Sequence, residues 1–434
     1  MKITMGKAMK YYESNRIRFF LLAVLLFEIL FFVLCFISRG EGLYSVFFNN
    51  KTDTFADFYK PMFDWWGNAY ENPTQEVNYP PLAVMFFQCF RRMVSSPAVS
   101  GLDYRNYSDA WIPFIYYNLT CVLIFFFCLV HCLREMKEMD LFLTTTVCMF
   151  SVPVLYTFER GNIILLAFSL SLFFCTFYSS KNLVLKELAF FSLALAAGIK
   201  IYPAVFGIML IKEKRWKEAC RLVGYGIVCC FLPFLFFGAG AIKAFFRGTE
   251  SFFEIHQFFS SYSLRSFCHL FMAVTGIEVS NIFFEMIWVL MLLGLLLCTL
   301  TAQSGWESML ACALIIIVLP DTSFAYTKLF LLVAFIFLLK DCRVIETRCN
   351  EKEIKNKRDW YVLFVFIAYF LLLIPWISNN IERFTQGFRT ISYTEMMYII
   401  EVESLAITAV IRGFIRAYHY IDRKNPTKQV CDRN

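Results

Sequence analysis

Apolar runs of bilayer-crossing length recur along almost the whole of this chain. They occupy 19–38, 111–132, 141–157, 163–178, 222–238, 283–300, 309–319, 324–339 and 360–377, with less clean stretches at 81–90, 184–211 and 394–411. A helix needs about 20 mostly apolar residues to span roughly 30 Å of hydrocarbon. Hydrophobic residues make up 59% of the chain and charged ones 17%, against about 25% charged in ordinary soluble domains. The expectation is an all-α integral-membrane protein, a polytopic helical bundle of about 11–13 transmembrane helices. The whole of 1–434 reads as one domain. The first run has no small-residue cleavage site behind it and reads as a permanent span.

Charge placement gives the expected topology. Lysine and arginine cluster at 2–18, 91–105, 212–221, 340–358 and 412–433. Positive charge favours the cytoplasmic side, so both termini and the linker 340–359 are expected there, in a multi-pass plasma-membrane protein. The same rule leaves 39–79 and 241–280 outside. Topology accounts for the basic clusters, and no nucleic-acid partner is expected. The sixteen cysteines lie mostly inside apolar runs, where a free thiol behaves as a small hydrophobe. No CxxC or Cys/His spacing suggests a metal site or a disulfide framework. No cofactor is expected, with a divalent cation left open.

Two outer loops carry the polar chemistry. The loop 39–79 holds Asp53, Asp57, Asp64, Glu71 and Glu76 beside Tyr59, Trp65 and Trp66. Phe55, Phe58, Tyr59, Met62, Phe63 and Trp66 recur at three- and four-residue spacing, which predicts a short amphipathic helix. Its apolar stripe is expected on the membrane surface, as an interfacial helix. On such a helix Asp53 and Asp57, four apart, share a face. A carboxylate beside an apolar wall can take a proton from an acceptor hydroxyl. An ordinary solvated acid, or Asp53 as the N-cap of the helix, is the plainer alternative. Asn78 and Tyr79 precede Pro80 and Pro81, which open a helix. Arg160, Gly161 and Asn162 form a turn between two apolar runs. Lys200 lies inside 184–211, where a lysine is a functional candidate unless it snorkels. Tyr202 follows it. The loop 241–280 mixes phenylalanines with His256 and Arg265, and an arginine there could hold a phosphate bidentately.

The order of these pieces resembles glycosyltransferase family 87, within the GT-C superfamily of polyprenol-phosphate-sugar-dependent enzymes. The resemblance runs roughly from 17 to 270. It rests on Thr54-Phe55-Ala56-Asp57-Phe58-Tyr59 in the first outer loop, then Tyr79-Pro80-Pro81-Leu82, Arg160-Gly161-Asn162-Ile163, Lys200-Ile201-Tyr202-Pro203 and Ser263-Leu264-Arg265. It implies a GT-C-type bundle and inverting transfer of a hexose, mannose first, from a polyprenyl-phosphate donor. The acceptor would be an envelope glycolipid or glycan on the outer face. It implies Asp57 as catalytic base, with Asp53 as rival. The residues themselves offer Lys200, Arg265 and Arg160 for the donor phosphate, and Tyr59, Asn78, Tyr79, Asn162, Tyr202 and His256 for the substrate pocket. Two departures stand out. The family's Gly-Gln-x-Asn is shortened here to Gly161-Asn162, and Ala325 stands where a histidine is expected. A transporter or flippase of a lipid-linked sugar is the alternative, since broken helices and buried polar groups suit one equally.

Overall fold

Uninterrupted apolar sequence becomes helix, and prolines or polar pairs decide where each helix stops. The computed structural model describes residues 2–47, 53–67, 69–71, 77–256, 262–348, 360–376, 383–386 and 389–424. In chain order the α-helices are α1 (Lys2–Ile37), α2 (Glu41–Phe47), α3 (Ala56–Asp64), α4 (Pro81–Arg91), α5 (Ser108–Cys132) and α6 (Glu138–Phe150). Next come α7 (Val152–Arg160), α8 (Ile164–Phe177), α9 (Leu183–Ile199), α10 (Ile208–Lys212), α11 (Trp216–Phe231) and α12 (Ala241–His256). Last are α13 (Leu264–Thr275), α14 (Asn281–Thr301), α15 (Gly305–Val318), α16 (Leu331–Arg348), α17 (Trp360–Leu373) and α18 (Tyr393–Lys424). The all-α membrane class holds.

Among the described residues five helical stretches are long and apolar enough to cross a bilayer: Ile17–Ile37, Ser108–Cys132, Glu138–Arg160, Trp216–Phe236 and Asn281–Thr301. Shorter apolar helices, among them α8, α15 and α17, pack between them. The run 184–211 is neither a single span nor two equal halves. Asn182 caps α9 by accepting from the amides of Val184 and Leu185. The helix then breaks at Lys200, which is extended, and Pro203 starts a 3₁₀ turn over Tyr202–Gly207. Proline suits that first turn because its missing N–H would be unpaired there anyway.

The core lies between α5, α8, α9, α15 and α16, where Phe125, Phe168, Phe174, Phe190 and Phe330 are fully buried. The long α18 packs along α14 and α15. A side chain at Gly413 would meet the backbone of Gly294 and Cys298, so these helices touch almost backbone to backbone. Arg412 and Arg416 of α18 close on the buried Glu307 of α15 at 2.8 Å and 2.7 Å. Nearer the start of α18, the Lys328 ammonium lies over the rings of Tyr398 and Tyr262, at 3.3 Å and 4.5 Å.

Three details differ from the sequence expectations. The α3 helix forms where its periodicity predicts, but Phe58, Tyr59 and Met62 are buried inside the protein. They pack on Phe87, Phe114 and Tyr117 rather than on lipid. Asp53 precedes the helix and is not its cap: Phe55 stands there, in the left-handed region at φ 60°. That reversal takes Asp53 off the helical face it was expected to share with Asp57. A two-stranded antiparallel hairpin, Arg383–Gln386 with Arg389–Ser392, was not foreseen in an all-helical chain.

Candidate active site

The site begins with a tight turn. Gly161 ends α7 in the left-handed conformation, at φ 66°. A Cβ there would sit 2.9 Å from Phe58 Cβ and 3.2 Å from Phe114 Cε2. Only glycine lets α3 lie this close against the end of α7. The segment before α3 is pinned to the same place. Phe55 N–H donates to the Glu159 carbonyl at 2.7 Å, and Thr54 Oγ1 donates to Glu159 Oε1 at 3.0 Å. On the other side, a Cβ on Gly101 would be 2.6 Å from Lys60 Cα. Two glycines thus clamp α3, and its first turn carries Asp57.

Asp57 is gripped by the residues that flank that turn. Arg160 Nη2 donates to Oδ1 at 2.5 Å and Arg160 Nε to Oδ2 at 3.3 Å. Asn162 Nδ2 donates to Oδ2 at 2.8 Å. The Asn162 side chain is itself fixed, since its Oδ1 accepts from the Ile164 amide at 2.9 Å. Its carbonyl accepts from the buried Tyr117 hydroxyl at 2.8 Å. Asp53 is a weaker participant: its carboxylate lies 3.9 Å from Arg160 and 3.7 Å from Lys60, and is 41% exposed.

Tyr79 and Lys200 complete the polar corner. Lys200 Nζ sits 3.5 Å above the Tyr79 ring, within electrostatic reach of Asp57. The break that ends α9 is what points this lysine away from the helix ladder. Tyr79 is held by Tyr70, whose hydroxyl donates to its carbonyl at 2.7 Å, and by ring contact with Trp65. Burial, reinforced by the Asp57 charge, pushes the Tyr79 hydroxyl above the usual phenol range, while a hydrogen bond from Asn162 opposes the shift. The group therefore stays a protonated donor beside the carboxylate. Tyr202 lies close by, its hydroxyl buried and without a hydrogen-bond partner among the described residues.

The structure brings together Asp57, Asp53, Arg160, Asn162, Tyr79, Lys200 and Tyr202. No contact among the described residues ties the others to this corner. Tyr59 is fully buried, with its hydroxyl on the Ala110 carbonyl at 3.3 Å, and serves packing. Asn78 lies in the segment entering α4, next to Val77, whose carbonyl abuts Gly248 of α12. Arg265 donates to Asp321 at 2.9 Å and lies over the Phe284 ring. The His256 side chain lies outside the described residues. Tyr326, to which the sequence assigned no role, lies within electrostatic reach of Asp57, Tyr79 and Tyr202. The only sequence signal for it was a polar group, with Asp321 and Lys328, at the opening of an apolar run. Among the described residues no group of three or more His, Cys, Asp or Glu side chains is placed to hold a metal ion.

Comparison with known proteins bears on the same residues. The model of glycosyltransferase family 87 matches residues 78–343, which include Tyr79, Arg160, Asn162, Lys200 and Tyr326 and leave Asp57 just upstream. No curated protein and no solved structure matches the chain. The family match covers more than half of the 434 residues: the chain belongs to glycosyltransferase family 87.

Proposed function

We propose that this glycosyltransferase moves a hexose, mannose first, from a polyprenyl-phosphate donor to an envelope glycolipid or glycan. Transfer takes place at the outer face of the plasma membrane, with both termini in the cytoplasm. The observation that carries this is the convergence of one carboxylate, Asp57, with two cations, Arg160 and Lys200, at the end of apolar helices. A lipid-linked anionic donor needs such a corner: a base for the acceptor, positive charge for the phosphate, and apolar walls for the tail.

The step balances as a direct displacement. Asp57 takes the proton of the acceptor hydroxyl. The acceptor oxygen bonds to the anomeric carbon on the face opposite the phosphate, and the bond from that carbon to the phosphate oxygen breaks. Its electron pair stays on the polyprenyl phosphate, and the anomeric configuration inverts. Lys200 and Arg160 stabilise the charge growing on that phosphate, the kind of electrostatic term that is usually largest in enzymes. Asn162 and Tyr79 orient Asp57 and the substrate hydroxyls. Arg265, paired with Asp321, takes no part in this step.

The test is transfer of radiolabel from polyprenyl-phosphate mannose, and from its glucose counterpart, to extracted envelope lipids. Purified protein is compared with Asp57→Asn and Asp53→Asn. Loss in Asp57→Asn alone, with the fold intact, supports the assignment. Wild-type rates in both variants would place the base elsewhere. Failure to consume either donor would overturn this choice of substrate.

A further inference from the structure

In the resting protein the proposed base is already occupied. A carboxylate offers roughly four lone-pair sites. Arg160 Nη2 fills one on Oδ1 of Asp57, and Arg160 Nε and Asn162 Nδ2 fill those on Oδ2. An acceptor hydroxyl approaching Asp57 finds a guanidinium lying along the edge of the carboxylate. The two clasping residues are not equivalent. Asn162 is anchored through the Ile164 amide and its own carbonyl. Arg160 is the last residue of α7, before the Gly161 turn, and only its side chain enters the clasp. Its other contacts are long ones to Asp53, 3.4 Å to the carbonyl and 3.9 Å to the carboxylate.

Beside this clasped acid, with three of its roughly four sites taken, lies a spare basic group. Lys200 rests on the face of Tyr79. Among the described residues no carboxylate stands within ion-pair distance of it. The corner therefore holds two basic groups near Asp57, of which one is engaged. An arriving phosphate supplies a second anion. Its oxygens fit the guanidinium fork as a carboxylate does, and Lys200 adds a second point of attachment.

We propose that Arg160 is a phosphate-operated latch on Asp57: the phosphate of the lipid-linked donor draws the guanidinium off the carboxylate, so the base is uncovered only when a donor is seated. This rests on the polyprenyl-phosphate donor proposed above and adds the order of events. Asn162 stays in place and keeps Asp57 aimed while Arg160 moves. The phosphate can shift this equilibrium only because it binds the open arrangement better than the closed one. The acceptor, by contrast, gains nothing from the closed form, so productive binding runs donor first.

The test reads the exposure of Asp57 itself. Full-length protein in detergent micelles is treated with a water-soluble carbodiimide and an amine, and labelling is measured by peptide mass spectrometry. Farnesyl phosphate, which carries the phosphate and a short lipid but no sugar, is the probe. Wild-type Asp57 is expected to label weakly alone and several-fold more strongly with the probe. In Arg160→Gln it should label strongly from the start, and the probe should leave that unchanged or lower it by shielding. Labelling of the half-exposed Asp53 reports whether the variant has disturbed the loop as a whole. The latch is overturned if farnesyl phosphate binds wild type without raising Asp57 labelling, or if Arg160→Gln labels Asp57 no more than wild type while Asp53 is unchanged. If radiolabelled farnesyl phosphate does not bind at all, the donor assignment fails, and the latch fails with it.

Discussion

Replacing Gly161 by alanine separates two effects that meet at the turn of the candidate active site. Gly161 has φ 66°, and its added Cβ would lie 2.9 Å from Phe58 Cβ and 3.2 Å from Phe114 Cε2. The left-handed backbone costs an alanine ~1–2 kcal/mol. Forcing a methyl into a packed core costs a further ~1–3 kcal/mol. Gly276 is a matched control: it ends α13 with φ 70°, and an added Cβ would meet nothing within 4 Å. Gly276→Ala should therefore show the backbone term alone. The difference between the two variants, ~1–3 kcal/mol, is the steric term. Chemical-denaturation midpoints in detergent, followed by tryptophan fluorescence, give both numbers. Trp65 and Trp111 pack close to α3 and report on it directly. Activity should separate the variants more sharply than stability does. A shift of α3 by about 1 Å can lower the rate ~100-fold, so Gly161→Ala should lose most transfer and Gly276→Ala little. Equal destabilisation by the two variants would refute the claim that close approach at Gly161 sets the position of Asp57.

Three further outcomes follow from the geometry. Lys200→Met keeps the bulk over Tyr79 but removes the amine; the KM for the proposed polyprenyl-phosphate donor should rise roughly 10–100-fold in steady-state transfer assays. Tyr117→Phe leaves the buried Asn162 carbonyl with only the Leu165 amide, at 3.2 Å, and should lower the denaturation midpoint by the equivalent of ~0.5–1.5 kcal/mol; a midpoint matching wild type would mean that the amide bond suffices. Glu307→Ala strips the partner from Arg412 and Arg416 at the far end of α18. It should destabilise by ~3–5 kcal/mol at most, since both arginines are partly exposed, and it should leave the KM for the donor unchanged in the protein that remains folded.

Some of this was legible in the sequence and some was not, for identifiable reasons. The periodicity of Phe58, Tyr59 and Met62 announced α3. It could not say whether lipid or protein covered the stripe, because both are apolar. The positions of Arg160 and Asn162 suggested a turn, and the turn is there. That their side chains close on Asp57, more than a hundred residues earlier in the chain, is a tertiary fact with no local signal. Asp53 and Asp57 looked equivalent at four-residue spacing. The left-handed Phe55 separates them, and a non-glycine residue with positive φ is hard to foresee. Lys200 stood out because a lysine within an apolar run is unusual. Tyr326 did not, because tyrosine is at home at a span boundary. The strands Arg383–Gln386 and Arg389–Ser392 hold one strongly apolar residue each, Phe384 and Ile391, too few to give a period-2 signal.

The clasp on Asp57 joins residues 103 positions apart. Chains are made at about 5–20 residues per second, so Asp57 exists for roughly 5–20 s before Arg160 does. Phe114 and Tyr117, against which α3 buries its ring of aromatics, also arrive late. The helix carrying the acid can pack early on Phe87 and Phe90 of α4, but its carboxylate must wait for its clasp until α7 has been made. The proposed catalytic corner is then completed by the docking of an early loop onto a late turn, and the segment 58–160 acts during biogenesis as the clock that decides when that corner is first complete.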